Sequence, residues 1–110
     1  MDTKESIIER NSQELRMRPQ SYSTILALSF EKCEQDIFDL EKAIDEGDYD
    51  SIKTIAHKLK GFYGNLRITD IYEPCANIDK TAMANGCIDT IRSLFSEVRE
   101  SFFNMKRLFT

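Results

Sequence analysis

The sequence predicts an all-α protein: an up-and-down antiparallel four-helix bundle with an additional N-terminal helix. Three observations point there. Apolar residues recur with a period near 3.6 along almost the whole chain, and no convincing strand alternation interrupts them. Two stretches carry long stripes at alternating spacings of four and three: Leu26, Phe30, Cys33, Ile37, Leu40, Ile44, and then Ile91, Phe95, Val98, Phe102, Met105, Phe109. The segments between helices are short, about three to six residues, which makes sequential neighbours antiparallel.

Each element follows in order. The first helix, Thr3 to about Met17, is polar, with only Ile7, Ile8, Leu15 and Met17 as anchors. It stops before Pro19, because the residue ahead of a proline avoids helical angles. Residues 1–20 read as an N-terminal helix or linker, and residues 21–110 as the bundle. The second helix runs from about Ser23 to Glu46, and Gly47 ends it by taking left-handed angles. The third starts at Asp48 or Asp50, either of which can cap it, and reaches about Leu66. The fourth either begins at Pro74, with proline in its first turn, or begins near Thr69 and is disturbed there. It ends by Gly86, and the fifth spans about Asp89 to Leu108.

Composition removes several function classes. At 110 residues, 41% hydrophobic and 31% charged, the chain has the profile of one soluble domain with its own core. Its apolar runs fall short of the ~20 residues of a membrane span, and the charged start "MDTKESIIER" lacks the core of a secretion signal, so a cytoplasmic location is expected. The net charge of −4, with no basic stripe interleaved with aromatics, argues against nucleic acid. Cys33, Cys75 and Cys87 are widely spaced, without CxxC, and the chain has one histidine, so no metal site is expected. Cys33 falls on the apolar stripe as a buried structural thiol would. No GxxxxGK[ST] or GxGxxG suggests that the chain binds ATP. No self-association surface is evident, and a monomer is expected.

The single histidine, His57, stands in "IAHKLKGFYGN", residues 55–65. On a wheel of about 100° per residue, Ile52, Ile55, Leu59, Phe62 and Leu66 fall within roughly 40° of the pole opposite it. Lys53, Thr54, Lys60, Gly61 and Gly64 fall within roughly 60° of His57 itself. The histidine is therefore on the outer face, beside two glycines that cost a helix about 0.5–1 kcal/mol each. The functional reason for them is clearance, letting another protein surface approach the ring. The structural alternative is an ordinary surface histidine, with a glycine that allows close packing. An exposed imidazole is largely neutral at pH 7 and available as a nucleophile, and Lys60 supplies a cation for an anion held near it. No acidic residue three or four positions away orients the ring, and no Ser or Cys is paired with it, so hydrolase chemistry is unsupported.

"AHKLKGFYGNL", residues 56–66, resembles the signature of histidine-containing phosphotransfer (HPt) domains: His57, Leu59, Lys60, Gly61, Gly64, Asn65 and Leu66 match. The resemblance covers about Thr24 to Leu108, and "EKAIDEGDYDSIKTIAHKLKG" is similar to the family's acidic approach to its histidine helix. It implies a domain without autokinase activity. Such a domain accepts a phosphoryl group on the histidine from the aspartyl-phosphate of a response-regulator receiver domain and passes it on reversibly. His57 would be the phosphoacceptor, Lys60 would offset the phosphoryl charge, and Gly61 and Gly64 would keep the approach open. No cofactor is implied in this chain, with Mg²⁺ supplied by the receiver. The partners would be receiver domains and a hybrid sensor kinase. Two alternatives stay open: a helical adaptor that binds receivers without being phosphorylated, and the phosphoacceptor domain of a chemotaxis-type kinase.

Three positions depart from the family pattern. Phe62 and Tyr63 follow Lys-Gly where Ser or Ala is common; the wheel sends Phe62 to the core and leaves Tyr63 at its edge. Arg67 stands where a glycine often ends the histidine helix, leaving the break to Thr69 and Pro74. A docking surface is expected around Ile25 and Leu28 on the second helix, with Lys53 and Thr54 on the third; Leu28 falls about 160° from the centre of the buried stripe.

Overall fold

A computed structural model describes residues 3–110 and contains five helices and no strand among them. They are α1 (Lys4–Glu14), α2 (Pro19–Glu46), α3 (Tyr49–Asn65), α4 (Thr69–Met83) and α5 (Ile88–Phe109). The last four form the expected antiparallel bundle, with α3 between α2 and α4 and with α5 closing against both α4 and α2, and with α1 the molecule extends 41 × 23 × 22 Å. No helix of the described residues is long and apolar enough to cross a membrane.

The helix ends show how the sequence sets the bundle's corners. Thr3 and Ser6 form a capping box at the start of α1, the Ser6 N–H donating to Thr3 Oγ1 at 3.1 Å. α1 ends at Glu14 rather than near Met17, because Arg16 turns left-handed (φ 56°) and the Met17 N–H bonds back to the Ser12 carbonyl. α2 begins at Pro19, earlier than Ser23. Proline is well suited to the first helical position, where its missing N–H has no partner to lose, and Arg18 ahead of it is extended. Gly47 (φ 65°) caps α2 as expected, and Asp48 caps α3 by accepting the Ser51 N–H at 3.2 Å.

All four connections pass through one left-handed residue, yet only Gly47 is a glycine; the others are Arg16, Arg67 and Asn85. The break after the histidine helix is thus made at Arg67 itself (φ 62°), not left to Thr69 and Pro74. The Ile68 N–H returns to the Tyr63 carbonyl at 2.9 Å and closes that turn. α4 takes the second of its two expected forms: it starts at Thr69 and carries Pro74 inside. Pro74 withholds the N–H that the Asp70 carbonyl would otherwise receive.

The stripes of α2 and α5 meet in an aromatic core. Phe30 packs edge-on to Phe102 with ring centroids 5.4 Å apart, and Tyr63 packs edge-on to the same Phe102. In α3 and at its C-cap the buried residues are Ile52, Ala56, Leu59, Tyr63 and Leu66. That face is rotated by about 40° from the pole opposite His57. The sequence expectation for two neighbours is therefore exchanged: Tyr63 is fully buried, and Phe62 is only partly so. The tyrosine tolerates the core because Ser29 is opposite it, with the two hydroxyls 3.2 Å apart. Cys33 is buried as expected, Cys75 is buried with it, and Cys87 is exposed; all three are free thiols. Burial pushes the Cys75 thiol up to about 12, so it is an inert core residue.

α1 covers one end of the bundle. Ile7 joins the core, and the buried Asn11 side chain donates to Tyr22 Oη at 2.9 Å and to the Arg67 carbonyl at 3.2 Å. The Tyr22 hydroxyl donates in turn to the Leu66 carbonyl at 2.7 Å. These bonds satisfy carbonyls at the C-terminus of α3 that have no partner within the helix.

Candidate functional site

The 40° rotation of α3 decides where His57 points. The outermost position of the helix falls near Thr54 and Gly61, and His57 leans from it toward α4. Its side chain is 71% exposed, on a helix locked from beneath by Ala56 and Leu59. A rigid helix thus presents the ring to solvent.

Across the α3–α4 groove stands a carboxylate that the sequence reading did not find. Asp79 Oδ2 is 3.2 Å from His57 Nδ1 and 3.0 Å from Lys60 Nζ. The Asp79 side chain is only 7% exposed, held between the buried Ile78 and Ala82 of α4. Burial works against its charge, but hydrogen bonds from Lys60 and then His57 outweigh it and keep its pKa below the ordinary carboxylate value. The group is therefore ionised at neutral pH. An ionised carboxylate can only accept, so Nδ1 is the donor and carries the ring proton. In the neutral ring Nε2 then holds the lone pair, and no hydrogen bond engages it among the described residues.

The acid beside His57 is not three or four positions away on its own helix but on another helix, 22 residues on. One sequence signal could have exposed it. Ile71, Cys75, Ile78 and Ala82 make the buried stripe of α4, and Asp79 is next to Ile78 at its edge, where an unpaired charge would be costly.

The other candidate residues divide into groups. Lys60, like His57, bonds Asp79 and lies on the α4 side, half-buried. Gly61 is exposed, and an added Cβ would meet nothing within 4 Å. Gly64 is different: α4 supplies Tyr72, whose ring lies against it. The packing explanation thus applies to Gly64, and the open surface is at Gly61. Lys53 pairs with Asp50 at 3.4 Å, and the Thr54 hydroxyl donates to the Asp50 carbonyl within its own helix. Ile25 and Leu28 are exposed at 42% and 49%. The Ser29–Tyr63 and Asp36–Lys58 pairings set the register of α2 against α3. They put Ile25 and Leu28 beside the C-terminal half of α3, away from the α4 groove. A pocket of about 420 Å³ continues the face on the α4 side, lined by Lys60, Gly61, Gly64, Ile68 and Tyr72 among others. No three His, Cys, Asp or Glu side chains among the described residues group so as to hold a metal ion.

The arrangement offers an exposed imidazole with one nitrogen bonded to a carboxylate and the other open, a lysine one turn away, and an open approach. A family model described as the Hpt domain matches residues 24–101. No curated protein and no solved structure matches the chain.

Proposed function

Because the chain belongs to the Hpt domain family, whose members carry phosphoryl groups on a histidine in phosphorelays, we propose that it is a relay intermediate that takes phosphoryl on His57 Nε2 from the aspartyl-phosphate of a receiver domain and hands it to another. The observation that carries this reading is the ring itself: His57 is 71% exposed with Nδ1 occupied by Asp79, so the one available nitrogen faces an approaching partner. Phosphoryl transfer needs chiefly positioning and charge neutralisation. Positioning comes from the helix and Asp79. Lys60, with its ammonium 3.0 Å from the same carboxylate oxygen, is close enough to turn toward the arriving phosphoryl oxygens. Mg²⁺ belongs to the receiver's acidic pocket and needs no ligand from this chain.

Gly61 leaves room for the receiver's surface over the ring, and Gly64 lets α4 pack close enough to bring Asp79 to it. On the other flank the exposed Ile25 and Leu28 form the apolar part of the contact, with Lys53 and Thr54 one turn before His57. The protein acts as a cytoplasmic monomer that meets receivers, including that of a hybrid sensor kinase, one at a time.

The test is transfer of radiolabelled phosphoryl from phosphorylated receiver domains to the wild type and to His57→Gln. Acid-labile, base-stable label on the wild type and none on the variant establishes the relay and its site. Binding of receivers without uptake of label identifies an adaptor instead.

A further inference from the structure

Resting on the phosphotransfer reading, we propose that Asp79 is a positioning residue that keeps the proton on His57 Nδ1 throughout the reaction, so that phosphoryl enters and leaves Nε2 without a proton having to move. The geometry gives the starting state. Asp79 Oδ2 accepts from Nδ1 at 3.2 Å and from Lys60 at 3.0 Å, and its carboxylate is fixed on α4 with little solvent to screen it.

In the forward step the Nε2 lone pair forms the P–N bond while the P–O bond to the receiver's aspartate breaks, its electron pair leaving on that carboxylate. The ring, still protonated at Nδ1, becomes a phosphorylated imidazolium whose positive charge faces Asp79. In the return step the P–N bond breaks, its electrons go back to Nε2, and neutral imidazole leaves. Without the carboxylate, the phosphorylated ring loses its Nδ1 proton to water as pH rises. Imidazolate must then leave, and it is a far poorer leaving group. Asp79 thus acts mainly when phosphoryl is given up.

The charged groups around the ring support this assignment. α3 supplies Lys53, Lys58 and Lys60, all cations, and α4 supplies Asp79 with Lys80 beside it in sequence. On α2, Asp36 is taken up by Lys58 at 3.0 Å. The carboxylate that bonds the ring is that of Asp79.

The experiment loads the wild type, Asp79→Asn and Asp79→Glu with phosphoryl from a receiver, then measures return to the same unphosphorylated receiver from about pH 6 to pH 9. The shared receiver cancels its own pH dependence in the ratio of rates. The wild-type to Asp79→Asn ratio is expected to grow with pH, approaching tenfold per unit above neutrality, and Asp79→Glu to restore much of the wild-type profile. A ratio that stays constant with pH overturns the proposal and leaves Asp79 a structural residue. A readout independent of transfer is the ¹⁵N spectrum of the imidazole in the unphosphorylated proteins. Nδ1 protonated in the wild type and mixed tautomers in Asp79→Asn support the assignment; identical tautomers overturn it. Failure of the wild type to take up label from any receiver defeats the phosphotransfer reading instead, and the ¹⁵N result still stands on its own.

Discussion

The ring of Tyr72 lies against the backbone of α3 at Gly64, so closely that a Cβ on residue 64 would stand 2.9 Å from Tyr72 Cδ1 and 3.1 Å from Cε1. Gly61, one turn earlier, meets nothing within 4 Å. Two glycines that look equivalent in the sequence therefore answer to different causes. One sets the spacing of α3 and α4 that brings Asp79 to His57; the other leaves a surface uncovered.

Gly64→Ala forces the Tyr72 ring to shift, and this outweighs the helical preference for alanine, for a net loss of about 1 kcal/mol. In a Tyr72→Ala background the same change is stabilising by about 0.5–1 kcal/mol, since only the propensity gain is left. A double-mutant cycle in urea measures both arms. Equal effects in the two backgrounds would remove the ring as the cause.

At Gly61 an alanine raises stability by about 0.5–1 kcal/mol, because nothing opposes the gain in helix propensity. Gly61→Leu folds equally well but covers the approach to His57, cutting the rate of phosphoryl uptake by about tenfold or more. Thermal unfolding and a transfer assay on the same preparations separate the two effects. Unchanged uptake by the leucine variant would show that the receiver does not pass over this position.

Asp79 also ties stability to acidity. Its folded pKa lies below the unfolded value, so the folded state holds its proton less tightly than the unfolded chain does. The stabilisation is therefore complete above the unfolded pKa of about 4 and disappears as pH falls through the lower folded value. Asp79→Asn removes this contribution, so the stability gap between wild type and variant should be constant near neutrality and close in the acid range. Urea midpoints of the two proteins between neutral pH and about pH 3 test this. A gap that does not narrow contradicts it.

Tyr22→Phe removes a hydroxyl that donates to the Leu66 carbonyl and accepts from Asn11, both in the buried end of the bundle. Leaving those partners unsatisfied costs about 1–3 kcal/mol. The loss should appear as faster amide exchange in the last turn of α3 and in α1, with the centre of α2 unaffected. Uniform acceleration across the bundle would mean that the bond supports the whole fold rather than this end.

Much of this architecture was legible because it depends on periodicity. The stripes of α2 and α5 needed only their four-three spacing, and Gly47 and Asp48 announced the α2–α3 corner by their own chemistry. What escaped depended on partners distant in the chain. A wheel centred on His57 favoured Phe62 over Tyr63, yet the tyrosine is inside, where Ser29 meets its hydroxyl. Arg67 does the work of a glycine, which its residue type does not suggest; its guanidinium bonds the Gly64 carbonyl and Glu14, holding the left-handed turn. His57 and Lys60 were recognisable from their local pattern. Asp79 was not, since a helical wheel shows only the residues of one helix and the acid reaches the ring from the next.

The polar contacts of Asn11 and Tyr22 give the bundle a load path. They join α1 and the start of α2 to the final carbonyls of α3, so a pull on the chain ahead of α1 is borne by the far end of the helix that carries His57. The core beneath Ala56 and Leu59 anchors the other end of that lever. Tension applied at the amino end reaches the histidine helix first at Leu66 and Arg67, and the His57 ring keeps its place until those two carbonyls let go.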